Sequence, residues 1–134
     1  MSDERKAPAA ARFRVLVTGS RTWRQGDLID RALSALRVEH GSLVVVHGAC
    51  PSGADGYASA WVMRMAAIGR DVVEEYYPAN WAKFGDAAGP IRNRAMVDLG
   101  ADLVLAFIRD GSPGATQCAR YAESRGLLVR RVLA

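Results

Sequence analysis

The 134-residue chain contains only two cysteines, Cys50 and Cys118, and only two lysines, Lys6 and Lys83. Two cysteines are too few for the disulfide framework of a small secreted domain or for a cysteine-rich metal site. Lysine is so scarce that the chain has no Lys-rich run and no phosphate loop with a Walker lysine. We therefore predict no metal site and no bound cofactor.

Long hydrophobic runs are also missing. The longest, such as Leu43–Val46, have the length of a strand, and none could span a bilayer. Residues 1–12 mix acidic and basic side chains around no apolar core, unlike a signal peptide, so we predict a disordered lead-in there. Residues 13–134 are then expected to form one domain in a cytoplasmic protein.

The net charge of the chain excludes few classes of binding partner. The net charge is +4, with 18 basic and 14 acidic side chains. That balance permits an anionic ligand, but the chain lacks the long basic run or the basic–aromatic interleaving of many nucleic-acid-binding proteins. A nucleic-acid partner is therefore not favoured.

Short apolar runs alternate with segments of helical periodicity along the whole chain. The predicted strands are Arg14–Gly19, Leu43–His47, Val72–Tyr77, Ala101–Phe107 and Leu127–Leu133. Helices are predicted between them, beginning near Asp27, after Asp55, at Pro90 and at Gln117, with Pro78–Gly89 as the longest irregular stretch. Strict alternation with short connections predicts an α/β fold with a parallel sheet and helices on both faces.

Glycines gather in the loops that follow the predicted strands. They are Gly19, Gly48, Gly53, Gly111 and Gly114, and the loop after the third strand ends at Gly89-Pro90. One glycine after a strand is more often a plain turn, but these loops share the rim of the sheet where parallel α/β proteins bind ligands. We therefore expect a ligand site at the carboxyl ends of the strands.

The segment Ala88–Val97 places two arginines and an asparagine in the first turn of a predicted helix. Pro90 suits a first helical position, and the N–H groups of a helix start attract anions. Arg92 and Arg94 lie about 200° apart around a helix, so they cannot both face one phosphate. The alternative is a capped surface helix with solvated arginines.

Other candidates on this rim have two interpretations each. Gly19, Ser20 and Arg21 could offer close backbone approach, a hydroxyl and a charge to an anion. Asp55 is either a carboxylate that bonds N–H groups at a helix start or a ribose contact. Trp81 either stacks on a base or packs against the rim of the sheet. His47 is either an acid–base group or structural.

Four segments in order resemble the YspA/YpsA-related branch of the SLOG superfamily. They are Val15–Arg21, His47–Asp55, Tyr77–Trp81 and Ala88–Met96. The superfamily is named after the Smf/DprA DNA-processing proteins and the LOG phosphoribohydrolases. The resemblance implies a single Rossmann-like, three-layer domain with a mainly parallel five-stranded sheet. It also implies a nucleotide or nucleotide-derived ligand, a role as a sensor, and a homodimer.

The resemblance also assigns candidate binding residues. Phosphate would lie on the first loop and at Pro90, ribose on the second loop, and the start of the last helix would close the far side. The residues so assigned are Gly19, Ser20, Arg21, Gly48, Ala49, Gly53, Asp55, Trp81, Gly89, Pro90, Arg92, Asn93, Arg94, Gly114 and Thr116.

Comparison with the LOG enzymes weakens a catalytic prediction. Arg92 lies four residues before Met96, which matches the spacing of the LOG catalytic arginine. The LOG motif Pro-Gly-Gly-x-Gly-Thr-x-x-Glu, however, aligns its glutamate with Ala119. We therefore predict binding, assign no catalytic residue, and keep a nucleotide N-glycosidase that uses Asp55 or Asp86 as the alternative. A third hypothesis is that the protein binds nucleic acid, as the DprA proteins do.

Overall fold

The computed structural model describes residues 12–134, and most of the predicted lead-in lies outside the described residues. The strands are β1 (Phe13–Gly19), β2 (Leu43–His47), β3 (Val72–Tyr76), β4 (Leu103–Ile108) and β5 (Val129–Leu133). The helices are α1 (Gly26–His40), α2 (Gly53–Ala67), α3 (Trp81–Phe84), α4 (Ala88–Asp98) and α5 (Pro113–Ser124), with a 3₁₀ turn over Gly85–Ala87.

The five strands form one sheet in the order β3-β2-β1-β4-β5. Every neighbouring pair is parallel, with β1 between β2 and β4 in the centre. The predicted α/β class and five-stranded sheet are confirmed, and the sheet is parallel throughout rather than mainly so. The strands β2 and β4 on either side of β1 are buried along their full length, and their residues are apolar except for His47 at the end of β2.

Alternating residues of β1 face two separate cores. Val15 and Val17 pack in the larger core with the buried side chains of α1 and α2, such as Leu33 and Trp61. Leu16 points to the opposite face and packs with Met96 and its neighbours on α4 and α5. The period of two along a strand thus produces the three-layer architecture.

Helix starts differ most from the sequence prediction. The stretch Pro78–Gly89 is irregular only over residues 78–80, because α3, the 3₁₀ turn and the start of α4 cover the rest. Helix α3 is too short to show a periodic apolar pattern, and it begins with the Asn80 side chain accepting a hydrogen bond from the Lys83 N–H at 3.1 Å. Helix α5 begins at Pro113 rather than at Gln117, which puts proline in its first turn.

The start of α4 is also earlier than predicted, at Ala88 instead of Pro90. The chain enters α4 directly from the 3₁₀ turn, and the Ala88 N–H already donates to the Gly85 carbonyl. Pro90 is therefore the third helical residue and not the first, as the sequence predicted. The strand ends shift by one or two residues: β1 begins at Phe13, β3 ends at Tyr76, β4 covers Leu103–Ile108, and β5 begins at Val129.

The first described residue, Arg12, makes an ion pair with the domain. Arg12 is paired with the buried carboxylate of Asp71 at 3.1 Å, so the last residue of the predicted lead-in is tied to the domain. Within this part of the chain, no helix has the length and apolar character needed to cross a membrane.

Candidate functional site

A cleft of about 390 Å³ opens at the carboxyl ends of the strands. The strand order reverses between β1 and β4, and such switch points form the binding crevice of open α/β sheets. The cleft is lined by Val17, Thr18, Gly19, Ser20, Arg21, Thr22, Gly48, Cys50, Asp55, Trp81, Asp86, Gly89, Pro90, Arg92, Asn93, Met96, Ser112, Gly114 and Ala115.

The loop after β1 is closely packed on both sides. A Cβ atom on Gly19 would lie 2.7 Å from the carbonyl oxygen of Phe107 and closer still to Ala54. Gly53 has a positive φ of 66°, and a Cβ there would collide with the backbone of Ser20 and Arg21. These two glycines are therefore required for packing of α2 and β4 around the loop.

Ser20 connects the loop after β1 to the start of α5. Its buried hydroxyl accepts a hydrogen bond from the Arg109 N–H at 2.8 Å and also bonds the Ser112 hydroxyl. Its own N–H donates to the Phe107 carbonyl at 2.9 Å. Ser20 lines the cleft, but the hydroxyl that the sequence offered to an anion is engaged within the protein, and so is the Ser20 amide.

His47 holds the loop after β2 from behind. Its Nδ1 accepts a hydrogen bond from the Ala49 N–H at 3.0 Å, so the ring proton belongs on Nε2, which lies 2.8 Å from the Glu74 carboxylate. The bond stabilises Ala49 at a positive φ of 61°. His47 and Ala49 line a separate surface pocket and not the cleft. This geometry fits the structural interpretation of His47.

Asp55 is a buried carboxylate that lines the cleft. Its Oδ2 accepts a hydrogen bond from the Cys50 N–H at 3.3 Å. Burial raises the pKa of Asp55, although His47, the Cys50 N–H, Arg92 and the Gly48 N–H each act to lower it. Both interpretations from the sequence therefore retain support, since Asp55 bonds a backbone N–H and also faces the cleft.

Arg92 ties α4 to the loops of the opposite wall. Its Nη1 donates to the carbonyl oxygens of Gly48 and Tyr77, the latter at 3.3 Å, and its Nε donates to the Asn93 side chain at 2.7 Å. A Cβ on Gly48 would collide with the guanidinium group. Arg94, by contrast, lies 5.7 Å from the ring centroid of Tyr121 and lines a different cavity.

Trp81 and Arg21 lie at the mouth of the cleft. The Arg21 guanidinium is 5.1 Å from the centroid of the Trp81 ring, and both side chains are exposed. A Cβ on Gly89 would lie 3.3 Å from the edge of the ring, so Trp81 packs closely against this part of α4. Trp81 thus packs on the rim while part of its ring remains open to solvent.

Eleven of the fifteen predicted site residues line the cleft. Ala49, Gly53, Arg94 and Thr116 do not. The sequence prediction missed several lining residues, above all Thr18, Met96 and Ser112. Ser112 directly precedes Pro113, which marks a helix start, so this position could have been found from the sequence. Among residues 12–134, no group of three His, Cys, Asp or Glu side chains could hold a metal ion.

An all-parallel sheet with its cleft where the strand order reverses defines a Rossmann-like α/β domain. A family model described as the YspA, cpYpsA-related SLOG family matches residues 13–84. The chain is 41% identical over 117 residues to the Gene 61 protein of Mycobacterium phage D29, covering 87% of this chain and 93% of that protein. The chain belongs to the YspA, cpYpsA-related SLOG family. No solved structure matches it.

Proposed function

We propose that the cleft binds a nucleotide or a nucleotide-derived ligand, and that the protein acts as a ligand-binding module or sensor. The observation that carries this proposal is the position of Arg92, which is half-buried in a cleft at the switch point of the sheet. The cleft volume falls within the range of about 300–1,000 Å³ typical of small-molecule sites.

Arg92 retains hydrogen-bonding capacity for an anion. Its Nη1 and Nε groups are bound to the protein, whereas its Nη2 group forms no hydrogen bond with any of residues 12–134. An arginine fixed on one side presents its remaining N–H groups in a set direction, and this favours a phosphate or carboxylate oxygen. We therefore place the phosphate of the ligand beside Arg92.

The mouth of the cleft offers a surface for a planar base. Trp81 is 46% exposed and already has a planar cation, Arg21, over its ring. A nucleobase can stack on the same ring, either in place of the guanidinium group or beside it. The base would then lie at Trp81 and the phosphate deeper in the cleft.

Calorimetric titration with nucleoside monophosphates, NAD and ADP-ribose tests this proposal. We expect at least one ligand to bind, and Trp81→Ala to weaken it by roughly tenfold, because stacking is worth about 1–3 kcal/mol per base. Trp81→Phe should retain most of the affinity. Thr116→Ala, outside the cleft, is the matched control and should bind as the wild type does. Absence of binding at millimolar ligand contradicts the proposal.

One observation favours hydrolysis of an N-glycosidic bond as a second candidate function. Asp55 is a buried carboxylate in the cleft, and burial raises its pKa. Carboxyl groups with a raised pKa serve as general acids in glycosidic cleavage. If this function is correct, incubation with AMP or NAD releases free base or nicotinamide, and Asp55→Asn stops the release without preventing ligand binding.

The LOG glutamate does not decide between these functions. Ala119, which aligns with it, is fully buried and packs with Ala106 and Ile108 behind β4. Ala119 does not line the cleft. A carboxylate at this position would face the core, so an enzyme built on this chain would need another acid, and Asp55 is the buried candidate.

We also propose a cytoplasmic homodimer, as the sequence and the family resemblance suggest. Cys50 and Cys118 are both free thiols, in keeping with a reducing compartment. Light scattering on the purified protein tests the dimer, and a single species with the mass of one chain contradicts it.

A further inference from the structure

A second cavity, of about 300 Å³, lies between α4 and α5. We call it the side cavity. It shares Pro90, Asn93 and Gly114 with the cleft, so the two spaces adjoin along these residues. A Cβ on Gly114 would meet nothing within 4 Å, which means that no side chain fills the space beside it.

The side cavity is positively charged. Arg94 and Arg120 line it, together with the polar side chains of Asn93 and Gln117. Neither arginine forms an ion pair with a carboxylate among residues 12–134. Arg94 is held over the ring of Tyr121, which restricts where its guanidinium group can lie.

Two acidic side chains of the same region, Asp98 and Glu123, already have partners. Asp98 accepts a hydrogen bond from the Tyr121 hydroxyl at 2.7 Å and is 3.5 Å from Arg125. Glu123 forms a two-point ion pair with Arg131, with its shorter contact at 2.6 Å. The charges of Arg94 and Arg120 are therefore not neutralised by a direct carboxylate contact.

The two arginines of α4 point to different sides of the helix. Arg92 and Arg94 are two residues apart, about 200° around the helix, and they line different cavities. One phosphate cannot contact both. Two phosphates of one ligand can contact one arginine each, if the ligand passes Pro90, Asn93 and Gly114, where the cavities adjoin.

We propose that the side cavity binds a second phosphate of the ligand, through Arg94 and Arg120, while the first phosphate lies beside Arg92. The ligand class is thus a nucleotide with phosphates at two separated positions, such as a nucleoside 3′,5′-bisphosphate. This inference rests on the proposed nucleotide-binding function of the cleft and names the ligand class more narrowly.

Calorimetry with the common nucleoside 5′-monophosphates and the corresponding 3′,5′-bisphosphates tests the inference on the full chain. We expect the wild type to bind the bisphosphate of its preferred base roughly tenfold or more tightly than the monophosphate, since hydrogen bonds to charged groups are worth about 1.5–3 kcal/mol. The double variant Arg94→Gln/Arg120→Gln should lose this difference and bind the monophosphate within about twofold of wild type.

Arg125→Gln is the matched control, because Arg125 is an exposed arginine of the same region that does not line the side cavity. It should keep the preference for the bisphosphate. Equal binding of both ligands by the wild type, or a preference that survives in the double variant, overturns the inference and leaves the proposed function intact. Failure of every mononucleotide and bisphosphate to bind overturns the inference, and the proposed function fails with it only if NAD and ADP-ribose do not bind either.

Discussion

Besides α4 and Trp81, two walls line the cleft, and glycine has opposite roles in them. The first wall consists of the loops after β1 and β2 with the start of α2, and the second wall is the start of α5. At Gly19, Gly48 and Gly53 of the first wall, neighbouring atoms occupy the place of a side chain. At Gly114 of the second wall, that place is open space. Glycine in the first wall thus reflects close packing, and in the second it leaves room.

The walls also differ in how they are fixed. The first is cross-linked by Arg92 from α4 and by the His47–Glu74 pair behind it. It lies wholly within residues 13–84, the part of the chain that the family model matches. The second wall is joined to the first through the Ser20–Ser112 contact. We infer that the first wall provides a rigid anchor, while the second can change without loss of the fold.

The largest effect should follow from Gly19→Ala. The new methyl group would overlap Ala54 and the Phe107 carbonyl, neither of which is the flexible end of a side chain. We expect a loss of about 3 kcal/mol or more in the free energy of unfolding, measured by urea denaturation. A loss below about 1 kcal/mol would mean that the first wall is not closely packed.

A smaller loss should follow from Arg92→Ala. The substitution removes the donor to the carbonyls of Gly48 and Tyr77, and an unsatisfied buried group costs about 1–3 kcal/mol. Denaturant unfolding measures it. Arg94→Ala is the control on the same helix, and it should change stability by about 0.5 kcal/mol or less because Arg94 is exposed. Equal losses in the two variants would contradict the cross-linking role of Arg92.

The pH dependence of the first wall should depend on Asp55. Because burial raises its pKa, the folded protein holds this proton at a pH where the unfolded chain releases it. The stability that results is complete below the unfolded pKa of about 3.9 and is lost as the pH rises through the folded pKa. Asp55→Asn should therefore flatten this part of the stability profile. Unfolding curves recorded at a series of pH values from below about 3.9 upward measure this. If the free energy of unfolding falls with pH as steeply in Asp55→Asn as in the wild type, the role of Asp55 is contradicted.

The smallest effect should follow from Gly114→Ala in the second wall. The methyl group meets no atom within 4 Å, and alanine favours the helix α5. We expect unfolding to require up to about 1 kcal/mol more, measured as a rise in the midpoint of thermal unfolding. A clear loss of stability would show that the second wall is packed as closely as the first.

Most of the fold could be predicted from the sequence, because β1, β2 and β4 are short β-branched or apolar runs that end at loops. The resemblance to the SLOG superfamily is confirmed as family membership. The region 81–87 was missed because a four-residue helix and a 3₁₀ turn are too short to produce a periodic pattern. The early start of α5 was missed because Gly114, Ala115 and Thr116 form no apolar stripe.

The sequence predicted which edge of the sheet carries the candidate site. It did not predict which atoms the individual site residues contact. Glycines after strands located the cleft, since parallel strands end at one edge. They could not show that Gly19 and Gly48 make room for neighbouring residues, because those neighbours, Phe107 and Arg92, are remote in sequence. Nor could they show that Gly53 and Ala49 serve the loops and not the cleft.

The strand order has a consequence for how the protein folds. β1 pairs with β2 through one intervening helix, but its pairing with β4 joins Val15 to Leu103 across most of the chain. Contacts of such long sequence separation form slowly, and until they form, one edge of β1 is open to pairing with other chains. The cleft does not exist before that step. A ligand that binds only the folded cleft would therefore stabilise the folded state and lower the fraction of newly made chains that can aggregate.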